Sequence, residues 1–252
     1  MTLNLTSIRP LPKEEKSATQ TSSSRCPKCD DTGWIFIVNE DGYEQVMMCP
    51  CQYKRVIESL LKNSGFPYEE FQRMTLDTFE TSTEEQTAMK NLANRFIEED
   101  GNWMGVFGAS GAGKTHICIA VCQELVKRYR CSFKYMSYRS MMRQLRSFIF
   151  DDEKYSDMMH DLIETDVLYI DDLLKFSLDQ KGDIIQDELR ILYDIVNERY
   201  LRKKKTILSS EYTMKEIVQM DEALGSRMRE LIGDYGIKCS GSNYRLGGKK
   251  NG

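Results

Sequence analysis

The sequence predicts an α/β protein, a parallel sheet covered by helices on both faces, with a small cysteine-bounded module ahead of it. Three observations carry this. From residue 83 onward, short apolar runs alternate with helical periodicities, the pattern of strands that are buried on both sides by the helices between them. A full G-x-x-x-x-G-K-[ST] motif stands at residues 108–115, between an apolar run and a helical one. Four of the eight cysteines fall within residues 26–51.

The 252 residues are 40% hydrophobic and 29% charged, with a formal net charge of −4. That balance permits a buried core and argues against a globally basic nucleic-acid coat. No window approaches the roughly 18 consecutive apolar residues of a spanning helix. The start, MTLNLTSIRPLPKEEK, has no apolar stretch behind a basic end, so no secretory signal is expected. The expected setting is cytoplasmic, away from membranes, where cysteines serve as metal ligands or buried thiols rather than disulfides.

Residues 1–25 read as a disordered tail, with SATQTSSSR and two prolines and no periodicity. Between Cys26 and Cys51, alternation over Trp34–Val38, turn residues Asp41-Gly42 and a second run Tyr43–Met48 predict a hairpin. Residues 53–64 predict a helix ended by Gly65 and Pro67, and 66–82 a connector. Thr83 with Gln86 predicts a capping box ahead of a helix bearing Met89, Leu92, Ala93 and Phe96. Further on, strands are expected at 103–107, 132–136, 167–170 and 206–208. Helices are expected at 114–129, 138–164 (one or two), 183–201, 213–219 and 221–232.

The motif Gly108-Ala109-Ser110-Gly111-Ala112-Gly113-Lys114-Thr115 sits where its mechanism requires. Its glycines let backbone N–H groups curl around a phosphate, and the helix that follows adds its positive end. Lys114 would reach the β- and γ-phosphates of ATP, and the Thr115 hydroxyl would ligate Mg2+. The apolar run Val167–Ile170 ends in Asp171 and Asp172, as the metal-holding strand of a P-loop nucleotidase does. Asp171 would hold the magnesium shell and Asp172 would polarise the attacking water.

These segments, together with LYDIVNERYLRKKKTILSSE, DEALGSRM and NYRL, resemble the DnaC-type helicase loaders of the AAA+ ATPases, close relatives of the IstB-type transposition helpers. The resemblance covers about residues 66–248. It implies an AAA+ P-loop ATPase that loads a hexameric replicative helicase, binds single-stranded DNA and self-associates. Arg227 matches the arginine finger, given in trans to a neighbouring subunit, and Arg245 the second sensor. Glu211, after Ser209 and Ser210, stands where the first sensor is commonly Asn, with Ser210 as a substitute; Asp172 stands where Glu is common. His116 follows the lysine and threonine of the ATP-binding loop, as in the family, and also fits a purely structural role.

Cys26-x-x-Cys29 and Cys49-x-Cys51, at the two ends of the predicted hairpin, bring four thiolates to one point, which suits tetrahedral Zn2+. A redox C-x-x-C or four unconnected thiols are the other readings. Cys118, Cys122, Cys131 and Cys239 read as core thiols. The segment 125–150 carries seven basic residues and no acidic one. Lys134, Tyr138 and the stripe Arg139, Arg143 and Arg146 suit single-stranded DNA, charge along the backbone and rings on bases. A solvated basic face with its aromatics in the core fits the same run. The expected domains are thus a tail (1–25), a zinc-binding module with a linker helix (26–65) and the ATPase domain (66–252).

Overall fold

The computed structural model describes residues 25–38, 42–181 and 184–239. Residues 1–24 of the predicted tail (1–25), Asp41 of the predicted turn, and Arg245 lie outside them. The chain divides into two compact units, parting between Gln52 and Tyr53.

The smaller unit is a hairpin of β1 (Trp34–Val38) and β2 (Glu44–Met48), paired antiparallel with Trp34 opposite Met48. A turn around Cys26–Asp30 precedes it, closed by the Asp30 N–H on the Cys26 carbonyl at 2.9 Å. Helix α1 (Pro50–Lys62) begins at a proline, which suits a first helical turn whose N–H groups have no partner to lose. It therefore starts three residues ahead of the predicted position.

In the larger unit, helices and strands alternate as expected. They are α2 (Tyr68–Arg73), α3 (Glu84–Glu98), β3 (Trp103–Gly108), α4 (Lys114–Tyr129), β4 (Phe133–Ser137), α5 (Tyr138–Ser147) and α6 (Asp152–Glu164). Then come β5 (Val167–Asp171), α7 (Gln186–Leu201), β6 (Lys205–Ser210), α8 (Met214–Met220), α9 (Glu222–Ile232) and β7 (Gly236–Cys239). Thr83 caps α3 with the predicted capping box, its side chain accepting the Gln86 N–H. The sheet is parallel throughout, in the order β4-β5-β6-β3-β7.

The period of two along each strand sorts the core into two layers. Met104 and Val106, Val167 and Tyr169, and Ile207 face the cluster that holds Ile57, Leu61, Phe71, Phe96 and Val121. Trp103, Leu168, Ile170 and Leu208 face the opposite cluster, with Met142, Leu162, Leu192, Ile195 and Met228. Helices α1 to α4 thus cover one face, and α5 to α9 the other. The helix predicted as a linker is part of this core, through Ile57 and Leu61.

One buried cation pins the second layer. Arg199 of α7 is fully buried. Its guanidinium donates to the carbonyls of Leu162, Ile163, Thr165 and Lys205 at 2.6–3.0 Å, and its Nε to Thr206 Oγ1 at 3.0 Å. Carbonyls at the end of α6 that lack a partner within the helix are satisfied here by one side chain. Burial draws Arg199 down to about 9, against the pull of Asp166 and Glu164, so it stays protonated at neutral pH.

Candidate nucleotide site, cysteine cluster and basic groove

The phosphate loop runs from the end of β3 into α4. Gly108 has φ +116°, and a Cβ there would meet the Cys239 carbonyl oxygen at 1.9 Å. Only glycine fits, because the β7 backbone lies directly against the loop, with the Ala109 N–H donating to the Cys239 carbonyl at 3.2 Å. Gly113, with φ +87°, is the residue from which α4 starts. Ser110, Gly111, Gly113, Lys114, Thr115 and His116 line a cleft of about 280 Å³ together with Met74, Asp172 and Lys175. Ala112 points the other way, into the core.

Lys114 is buried, its Nζ donating to the Gly108 and Ala109 carbonyls at 2.7 and 2.8 Å. Burial pulls its pKa down, while Glu211 and Asp172 pull it back up. The Thr115 hydroxyl donates to Asp171 Oδ1 at 3.3 Å. A hydroxyl and a carboxylate so close beside a phosphate loop are the donor set that a hard divalent cation takes, and Mg2+ fits them. Asp171 is held from every side: Ser209 Oγ donates to Oδ1 at 2.5 Å, Tyr169 OH to the same oxygen, and Tyr135 OH to Oδ2 at 3.0 Å. Burial, with the Asp171 charge, pushes both phenols up, so they remain donors.

Asp172 turns the chain with φ +55°. Its carboxylate takes the Lys175 ammonium at 3.0 Å, and the same ammonium reaches Glu211 at 2.9 Å. Burial draws the Lys175 pKa down, but the hydrogen bonds to Glu211 and Asp172 outweigh it and raise it overall. The Glu211 carboxyl is held low, chiefly by that hydrogen bond. Strand register explains why Glu211 is there: Phe107 lies opposite Ser210, so the residue that follows β6 emerges beside Gly108.

Several predicted residues have other duties. Ser210 cannot stand in for the first sensor, because its buried hydroxyl donates to the Leu173 carbonyl at 2.8 Å. Ser209 is the serine that reaches the acidic strand. His116 Nε2 lies 3.0 Å from the Thr75 carbonyl and 3.3 Å from Thr78 Oγ1, with its ring edge-on to Phe79. Burial lowers its pKa, and these contacts tie α4 to the 75–79 segment while the ring lines the cleft. Arg227 of α9 bonds Asn197 Oδ1 and lies over the Tyr193 and Tyr200 rings of α7, 5.2 and 5.9 Å from their centroids.

The basic stripe forms as predicted. Arg139, Arg143 and Arg146 line a groove of about 580 Å³ with Ile149, Phe150 and Phe176. Phe150 is 98% exposed and Phe176 68%. One predicted member is corrected. Tyr138 is fully buried beside Met142 and Leu145, so its ring offers no face to a base. Lys134 pairs with Asp161 at 3.0 Å, as Arg146 does with Glu188, which also lines the groove, at 3.2 Å. The groove's aromatic rings are instead Phe150 and Phe176, which lie in connecting segments where no periodicity marks them.

In the smaller unit the four predicted cysteines converge. Their sulfurs lie within 4.8 Å of one another, with Cys26 to Cys49 at 3.7 Å and Cys29 to Cys51 at 3.4 Å. A tetrahedron with Zn–S of about 2.3 Å has edges of about 3.8 Å, so the set fits zinc. Cys26 is drawn down to about 7, chiefly by the Lys28 backbone N–H, and Cys51 pushed up to about 12, chiefly by its hydrogen bond with Cys29. Elsewhere Cys118, Cys122 and Cys239 are buried and Cys131 half-buried, and burial pushes all four up.

The phosphate loop, the acidic strand end and the sheet order together describe a P-loop nucleotide-binding core. The family model for IstB-like ATP binding proteins matches residues 51–250. The chain belongs to this family. Among its relatives is the phage-like element PBSX protein XkdC of Bacillus subtilis (strain 168), 29% identical over 249 residues, covering 94% of this chain and 91% of that one. Two solved structures share the AAA+ fold of this IstB-like chain. The DnaC helicase loader has a TM-score of 0.56 and 17% identity, covering 69% of this chain and 99% of that one. The replication initiator DnaA bound to AMPPCP and single-stranded DNA has a TM-score of 0.56 and 21% identity, covering 68% and 51%. Among the described residues no helix is long and apolar enough to cross a membrane.

Proposed function

We propose that this chain is an ATP-dependent loader of a hexameric replicative helicase, acting in the cytoplasm on single-stranded DNA. The carrying observation is the conjunction at the cleft: a buried Lys114 on the phosphate loop, and Thr115 meeting Asp171 at hydrogen-bond distance. Lys114 and the loop N–H groups would hold the phosphates, and Thr115 and Asp171 the magnesium. Asp172 would polarise the attacking water, with Glu211 beside it as the first-sensor residue. Arg227, carried on α9, would complete the site of a neighbouring subunit, since a fixed, permanently charged fork suits a phosphate in transfer. Arg245 would contact phosphate within its own subunit.

The groove of Arg139, Arg143 and Arg146, with two exposed phenylalanines, supports the single-stranded DNA reading, because every base offers a face to stack. The cysteine-bounded part of the predicted module (26–65) would hold zinc and contact the helicase, leaving ATP chemistry to residues 66–252. Purified chain is expected to hydrolyse ATP with a specific rate that rises with protein concentration. Lys114→Ala should abolish ATP binding, and Arg227→Ala should cut hydrolysis about 10³-fold, as loss of an arginine finger does, while ATP still binds. Hydrolysis that persists in Lys114→Ala would overturn the reading. The family match favours one second reading, an IstB-type transposition helper. Co-purification with a transposase rather than a hexameric helicase would select it.

A further inference from the structure

Leu173 and Leu174, just after β5, are fully buried. They are held by the Leu173 N–H on the Ser209 carbonyl at 2.8 Å and by Ser210 Oγ on the Leu173 carbonyl at 2.8 Å. The next two residues face different places. Lys175 lines the cleft of the phosphate loop, and Phe176 lines the basic groove. The Phe176 ring carries the Arg139 guanidinium, 4.8 Å from its centroid. One peptide bond therefore separates the nucleotide cleft from the groove.

This short segment is under backbone tension. Asp172, Leu174 and Phe176 have φ of +55°, +63° and +62°, the left-handed region, which Asp tolerates and which is costly for Leu and Phe. Their side chains therefore occupy it because neighbouring contacts impose it. One of those contacts is exchangeable. Lys175 bridges Asp172, three residues back in the same turn, and Glu211, two carboxylates that are each more than a third exposed or close to it. A terminal phosphate arriving beside Lys114 and Thr115 would compete for the same ammonium.

We propose that Lys175 is a binding residue for the terminal phosphate of a nucleoside triphosphate. Its transfer from Asp172 to that phosphate moves Phe176 off Arg139 and tightens the groove's hold on single-stranded DNA. A diphosphate lacks the group that reaches Lys175 and leaves the latch closed. The released guanidinium and ring are both then available, one to a phosphate of the strand and one to a base. The proposal rests on the ATP and single-stranded DNA reading above and adds the means by which the two are coupled.

The test uses the full chain with magnesium, ATPγS or ADP, and a fluorescently labelled oligo-dT strand. The strand should bind about tenfold more tightly with ATPγS than with ADP, within the usual span of coupling between sites. Lys175→Met should bring that ratio to one, and Lys175→Arg should restore it. A second measurement needs no change at Lys175. Phe176→Trp, with Trp34 and Trp103 replaced by Phe, should change emission with ATPγS and not with ADP. Reciprocity requires the strand to raise the preference for ATPγS over ADP by the same factor. An unchanged ratio in Lys175→Met, or emission blind to ATPγS in a chain that binds it, overturns the relay alone. A chain that binds no nucleotide overturns the ATP reading beneath it, and one whose emission responds but which binds no strand overturns the DNA half.

Discussion

The chain's two tryptophans stand in units held together by opposite means. Trp34, on β1, is 49% exposed, and Phe36, Tyr43, Val46 and Met47 around it are exposed as well. Trp103, on β3, is 1% exposed. In the larger unit apolar side chains fill both faces of a sheet. Among the described residues of the smaller one, Cys29 and Cys49 are the buried hydrophobic residues, so the interior they form is largely thiol. A hairpin alone is marginal in water, and a unit with so little apolar burial needs a covalent or metal staple. Aromatic content is therefore no guide to a core: β1 carries Trp34 and Phe36 and leaves both rings exposed.

The largest effect is expected where that staple is removed. Structural zinc contributes on the order of 10 kcal/mol to folding in small zinc modules, more than a hairpin of this size has from any other source. Cys49→Ser should release the metal and unfold the hairpin. In a Trp103→Phe background the Trp34 emission should report this loss; in a Trp34→Phe background Trp103 should stay native. Zinc analysis of the purified chain should give one ion per molecule. Zinc near zero, with Trp34 emission insensitive to Cys49→Ser, would mean that the four thiols merely lie together.

The large unit is open to a complementary attack. Arg199→Ala removes donors from four carbonyls and a hydroxyl in one step. Buried acceptors without partners are costly, and a loss of about 3 kcal/mol is expected. Urea unfolding read through Trp103 should show it, with the zinc content unchanged. Arg199→Lys should recover little, because one ammonium cannot reach carbonyls that a planar guanidinium spans. A variant as stable as the parent would show that water replaces the guanidinium there.

The same contrast separates what was legible in the sequence from what was not. The 108–115 motif fixes a helix start by chemistry, and α4 runs over Lys114–Tyr129 as expected. Four cysteines at hairpin ends announce their own convergence. Arg199 stands within NERY, a run picked out by resemblance, yet its burial follows from α6 ending against it, which no local pattern shows. β7 was not predicted: four residues, GIKC, have no room for alternation, and their strand character comes from pairing with β3. Tyr138 belongs with Met142 and Leu145 to the apolar stripe at i, i+4 and i+7, about 100° around α5 from the arginines. Lys175 and Phe176 sit in a turn and gain their meaning only from the two clefts that meet there.

The smallest expected effect probes how firmly that turn is fastened. Glu211 has its carboxyl held below the ordinary range, chiefly by Lys175. Its contribution is therefore fully present above the glutamate value of the unfolded chain and is lost as pH falls through the lowered folded value. Both partners are roughly a third exposed, and solvent screening holds such a pair to about 0.5 kcal/mol. Urea midpoints of the parent and Glu211→Gln should differ by that little at pH 7 and converge on acidification. A much larger difference would mean that the Lys175 latch is part of the fold's foundation. A small one is what a latch must have, because a contact that nucleotide is to break has to be weak enough for a single phosphate to outbid.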